Sequence, residues 1–213
     1  MKTSVLGALA ALCLSAAPAA AATLVMPNGW NNGNDGLMFD VKVGATGVTF
    51  ESLNVMVWGG HADFAVFTYA GGITGHTNSA AGWTEVGRAR LKADRNLGGL
   101  GTIDFADFAA EAGSTVGFYI TTLNRNNSGL MHYDPPADNA VGAVRGTDGA
   151  ISILSGYGKR YPYSTNYAGQ SLVGSMTYSL NKAAIPEPST WALMIGGFGL
   201  AGGMLRRRRV VPA

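Results

Sequence analysis

LMFDVKV, residues 37–43, alternates apolar and polar side chains: Leu37, Phe39, Val41 and Val43 fall on one side, Met38, Asp40 and Lys42 on the other. Period two is the spacing of a strand with one face in a core. The stretch that follows, GVTFESLNVMVWGG at residues 47–60, keeps the alternation through Val48 and Phe50, slips at Glu51-Ser52, and resumes at Leu53, Val55 and Val57. A one-residue slip between two otherwise regular runs predicts a β-bulge. Working outward, ADFAVFTYAGG, GWTEVGRARLKA, GTIDFADF, STVGFYITTLN, SGLMHYD, GAISILSGYG and SLVGSMTYSL read as further short strands, separated by Gly, Asn, Asp, Ser and Pro clusters. That density of strands and turns predicts an all-β fold, an antiparallel β-sandwich or jelly-roll-like domain. DFADFAAEAG, residues 104–113, stays open between strand and helix, because Phe105, Phe108 and Ala109 have helical spacing and Gly113 can close a turn.

The two ends differ in kind from the middle. Lys2, an apolar run from Val5 to about Leu14 and the small residues Ala20-Ala21-Ala22 predict a secretory signal peptide over 1–22, removed by signal peptidase to leave Thr23 first. Cys13, the sole cysteine, lies inside that run after the bulky Leu12, which argues against a lipoprotein; the mature chain then has neither disulfide nor thiol. Residues 23–185 have the length of one domain of roughly 100–200 residues. The overall charge of +2 rests on the ends. Setting aside Lys2, Arg206–Arg209 and Glu187 leaves 10 basic against 12 acidic residues, which gives no basic patch for nucleic acid.

From Ile185 the sequence runs IPEPSTWALMIGGFGLAGGMLRRRR. Residues 188–205 as a helix reach about 27 Å against a hydrocarbon core of about 30 Å, so they predict a marginal transmembrane helix weakened by five glycines. The arginines at 206–209 hold that end cytoplasmic and the domain outside. Pro186, Glu187, Pro188, Trp191 and the run Arg206, Arg207, Arg208, Arg209 together resemble the PEP-CTERM sorting signal of Gram-negative bacteria. The resemblance covers 186–209. It implies recognition by an exosortase, a multi-pass inner-membrane processing enzyme, in an organism that makes exopolysaccharide or biofilm matrix. It therefore implies export across the inner membrane, transient anchoring, then the cell surface or secretion. The signal is sometimes catalogued under an ice-binding name, but no strand repeats a Thr-x-Thr face. In the middle of the chain NGWNNGNDGLMFDVKV, NSAAGWTEVG, AGSTVGFYITT and SGYGKRYPYS resemble blocks of an exported bacterial β-sandwich repeat family without established activity.

Chemistry-bearing residues are sparse. His61, His76 and His132 are the only imidazoles. His61 and Asp63 are two apart, Ser128 and Ser155 fall in loops, and neither a Gly-x-Ser-x-Gly nor a His-Glu-x-x-His occurs, so the chain is expected not to be an enzyme and to need no cofactor. NGWNNGNDG offers oxygen donors from Asn28 to Asp35, with Asn31, Asn34 and Asp35 as weak calcium candidates; one carboxylate is few for calcium, and Asn and Asp also favour turns. The same holds for Asp134, Asp138 and Asp148. Trp30, Trp58 and Trp83, with Tyr157, Tyr161, Tyr163 and Tyr167, are the candidates for stacking on sugar rings, though Trp58 and Trp83 read first as core residues. In YGKRYPYSTNY the four tyrosines cannot all enter one core face, which makes that segment the better candidate, with Lys159 and Arg160 for acidic sugars. The expected role is a surface or matrix protein without catalysis; a lectin-like polysaccharide-binding module is the alternative.

Overall fold

The computed structural model describes residues 20–26, 29, 32–92, 99–123, 129–133, 140–181 and 188–207. Its strands in chain order are β1 (Ala21–Val25), β2 (Asn32–Asn34), β3 (Gly36–Val43), β4 (Val48–Trp58), β5 (His61–Ala70), β6 (Thr84–Lys92), β7 (Gly99–Ala110), β8 (Thr115–Thr122), β9 (Gly129–Tyr133), β10 (Val144–Thr147), β11 (Ile151–Leu154), β12 (Gly156–Arg160), β13 (Ser164–Leu172) and β14 (Gly174–Leu180). One helix, α1 (Pro188–Arg207), follows. The strands belong to a unit spanning Ala19–Asn181 and the helix to a separate one.

All strand pairings are antiparallel. β1, β14, β4 and β7 lie side by side, with β9 and β2 continuing from the end of β4. β6, β5, β8, β3, β12 and β13 form the second array, and β11 and β10 extend from β3. β13 belongs to both, pairing with β12 in one and β9 in the other. Apolar rows from the two arrays meet in one core. Phe50 of β4 packs edge-on against Phe118 of β8, ring centroids 5.3 Å apart, and Phe39 of β3 stacks on Phe118 at 5.6 Å. Two antiparallel sheets sharing a core fit the sandwich expected from the alternation.

The predicted bulge is where the slip placed it. Phe50 and Ser52 pair with Tyr178 and Thr177 on one side and with Phe108 and Asp104 on the other, leaving Glu51 unpaired, so Phe50 and Leu53 both point inward. The open segment is strand over 104–110, and Gly113, at φ +73°, lies in the turn that follows. Between Phe108 and Asp104, β7 carries two more residues than β4 does opposite, and this wide irregularity produces the helix-like spacing of Phe105 and Phe108.

A second, smaller core lies on the far face of β3, β8 and β5. There Met38 and Tyr119 are wholly buried, because residues 71–83 cross over them. Asp40 ties that segment down: its carboxylate accepts the Ile73 amide at 2.8 Å, and burial raises its pKa above the usual carboxylate value. Gly72, at φ +96°, makes the approach possible, since a Cβ there would stand 3.0 Å from Asp40 Oδ1.

Candidate functional site

The tyrosine segment forms the β12–β13 hairpin, and its four rings have different fates. Tyr163 packs on Tyr119 at 4.8 Å and within 6.3 Å of Trp83, and burial pushes its phenol pKa up to about 12. It adopts φ +76°, a conformation that costs a non-glycine residue on the order of 1 kcal/mol and is held here by the ring contacts. Tyr157 also packs against this cluster and is half-buried. Tyr161 is half-buried, its amide donating to Asp35 Oδ2 at 3.0 Å. Only Tyr167 has an exposed ring, with its hydroxyl accepting from Arg160 Nε at 3.3 Å.

Lys159, expected to face solvent, does not. Its ammonium is fully enclosed and donates to Thr77 O at 2.7 Å, to Asn78 Oδ1 at 3.4 Å and to Asn166 Oδ1, its cross-strand neighbour. Burial lowers its pKa to about 8. Lys159 therefore fastens the 71–83 segment and is not placed to meet an acidic ligand; Arg160, beside it, is exposed.

The tryptophans divide, and Trp30 lies outside the described residues. Trp83 is half-buried in the outer cluster, its Nε1 donating to His76 O at 2.9 Å. Trp58 is not core: it ends β4 on the side opposite Val57 and is 39% exposed. His76 stacks on Tyr69 at 4.0 Å, and His61 is exposed on β5 opposite Lys92. Asp148 caps its own turn, accepting from Ala150 and Ile151 amides at 3.0 and 3.1 Å and from Tyr178 Oη at 2.5 Å. Of the calcium candidates, Asp35 is engaged with Tyr161 and Asn34 lies in β2, while Asn31 falls outside the described residues, as do Asp134 and Asp138. Among the described residues no three His, Cys, Asp or Glu side chains gather as metal ligands would. A shallow open depression of about 540 Å³ is lined by Asp63, Arg88, Ala89, Arg90 and Leu123, and Arg90 pairs with Asp63 across it at 3.7 Å.

In the tail, α1 begins at Pro188, where a missing amide hydrogen costs nothing, and continues through the glycines to Arg207. Leu193, Ile195, Phe198 and Leu200 are exposed, and nothing stands within 4 Å of where a Cβ would sit on Gly196, Gly197, Gly199 or Gly202. No helix among the described residues is long and apolar enough to cross a membrane, so the expected transmembrane helix over 188–205 is not supported. Its glycines and its Pro-Ser-Thr-Trp first turn dilute the apolar residues too far. Side chains of Pro188, Trp191, Arg206 and Arg207, and all of Pro186, Glu187, Arg208 and Arg209, lie outside the described residues.

Residues 184–209 match the PEP-CTERM protein-sorting motif. That match covers every tail residue singled out from the sequence and implies recognition by an exosortase, so the chain is an exported protein sorted to the cell surface or secreted. No curated protein matches the chain. Among solved structures, one from infectious bursal disease virus, Gx strain, aligns at 10% identity over 92% of this chain with a TM-score of 0.26. The chain spans about half, 54%, of that structure's length.

Proposed function

We propose that the β domain is a non-enzymatic component of the cell surface or extracellular matrix, delivered by signal peptidase and exosortase and retained among exopolysaccharide or biofilm. The observation that carries this reading is the PEP-CTERM motif at 184–209, since such a signal commits the chain to export and processing. The tail supports a transient membrane stage. An exposed, glycine-rich apolar helix that is too weak to span alone can be held at the inner membrane by close contact with the helices of a partner, its arginines on the cytoplasmic side. Mass spectrometry of the secreted protein is expected to find a C-terminus near Pro186–Pro188 and no Arg209, and loss of that product in a strain without exosortase. Intact Arg209 in the secreted fraction contradicts the reading.

A lectin-like role is the second reading. The exposed Tyr167 with Arg160 favours it at the hairpin, with Tyr161 at the margin; Tyr157 and Tyr163 are occupied by the outer aromatic cluster.

A further inference from the structure

The face of the β1–β14–β4–β7 array turned away from the core has a chemistry of its own. Leu24, Met176, Leu53 and Ile103 form one cross-strand row, all buried in the core. One residue along, and so on the opposite face, stand Thr23, Thr177, Ser52 and Asp104. The next outward row holds Val25, Ser175, Asn54 and Thr102, and the one after it the pair Met56 and Leu100, with Val25 and Leu100 exposed. Strands about 4.8 Å apart and same-face residues about 6.7 Å apart make this a grid of hydroxyls and an amide bordered by the apolar side chains of Val25 and Leu100. The grid is only partly satisfied internally: the Thr23 and Thr177 hydroxyls lie 3.3 Å apart, whereas Asn54 Oδ1 is screened from solvent and has no hydrogen-bond partner. At the end of β4 the same face closes with the exposed indole of Trp58. None of the four strands contains a lysine or arginine, and their charges are the carboxylates of Glu51, Asp104 and Asp107.

We propose that this face binds a neutral polysaccharide chain, with Trp58 stacking on a sugar ring and the Ser, Thr and Asn side chains bonding its hydroxyls. Each hydroxyl of the grid both donates and accepts, as sugar hydroxyls do, so the two surfaces pair without leaving a polar group orphaned. An indole presents the flat apolar surface that the C–H face of a pyranose covers. Charge selects among polymers: carboxylates without a cation disfavour uronic or phosphorylated chains, nucleic acid and anionic lipid.

The inference rests on the polysaccharide-binding reading, and its test separates the two. Purified protein is run in affinity gels containing hydroxyethylcellulose, laminarin, dextran or alginate. Retardation is expected on at least one neutral glucan and not on alginate. Trp58→Ala and Thr177→Glu, both outward-facing, are each expected to weaken it at least ten-fold, while a Tyr161→Ala, Tyr167→Ala double variant is unchanged. Titration followed by NMR, which needs no variant, is expected to shift the Trp58 indole and Asn54 amide signals. If the parent is retarded but the face variants match it and those signals stay fixed, this face is wrong and the general reading stands. If alginate alone retards it and the tyrosine variant abolishes this, the hairpin is the site. If no polymer retards the parent, polysaccharide binding itself fails.

Discussion

Among the described residues, Lys159 is the one charged side chain with no exposed surface, and its three acceptors are neutral. The free amine is therefore favoured more in the folded than in the unfolded chain, where a lysine titrates near 10.4. Between about pH 8 and 10 the unfolded chain binds the extra proton, so stability rises with pH across that window. Above about 10 Tyr163 works the other way: its folded phenol, with a pKa of about 12, keeps a proton that the unfolded one has lost, and stability falls. Urea unfolding is expected to show a gain on the order of 1–2 kcal/mol from pH 7.5 to 9.5 that disappears in Lys159→Met. A flat profile in the parent, or an unchanged slope in the variant, contradicts this account of the buried amine. The sequence announced that some rings of YGKRYPYSTNY must leave the core, but not which. That choice depends on residues 71–83, which carry no hydrophobic period and yet cover Met38 and Tyr119.

At the scale of elements, β4 carries one residue more than its alternation needs, and the bulge absorbs it. With Glu51 looped out, Val48 and Phe50 share a face with Leu53, Val55 and Val57; deleting it puts Phe50 and Leu53 two apart, so the same face stays inward. Phe50 then keeps its contacts with Phe108 at 5.2 Å and Phe118 at 5.3 Å, which Phe50→Ala removes at a cost of about 3–5 kcal/mol. Thermal melting of the Glu51 deletion is expected to keep a cooperative transition, whereas Phe50→Ala melts far below the parent. A deletion variant that loses its cooperative transition contradicts the role of the bulge. The bulge was legible because both flanking runs are long enough to fix their own phase. The irregularity in β7 was not, since two extra residues between Phe108 and Asp104 imitate a helical repeat. In the same way, Trp58 was expected in the core on residue type alone, but the phase of β4 after Glu51 sends it outward with Asn54. The tail motif was fully legible because its recognition is carried by residue identity and spacing, not by tertiary contacts.

For the whole domain, which sequence reading leaves without a disulfide after export, stability has to come from closing both sheets over one core. The N-terminal strand shows how tightly this binds processing to folding. β1 begins at Ala21, while the predicted signal-peptide cut falls after Ala22, so the mature strand keeps Thr23, Leu24 and Val25 paired with Thr177, Met176 and Ser175. Leu24 is 7% exposed and Met26 1%, and the Met26 amide donates to Gly174 O at 2.8 Å. Met26 also lies over Gly146 of β10, where a Cβ would meet its sulfur at 2.6 Å, so the first strand covers the edge of the other array. A cut after Ala22 removes two paired residues, Ala21 and Ala22, and no fully buried side chain; a cut four residues later removes both core anchors. A chain beginning at Thr23 is expected to unfold in urea within about 1 kcal/mol of one beginning at Ala20, since Ala21 is exposed and Ala22 brings a single methyl group, partly buried, to the core. One beginning at residue 27 is expected to lose about 3–6 kcal/mol, the scale of deleting a buried Leu and Met together, which is a large part of the 5–15 kcal/mol typical of a domain. Equal midpoints for the chains beginning at 23 and 27 contradict the claim that the strand beside the signal peptide completes the core.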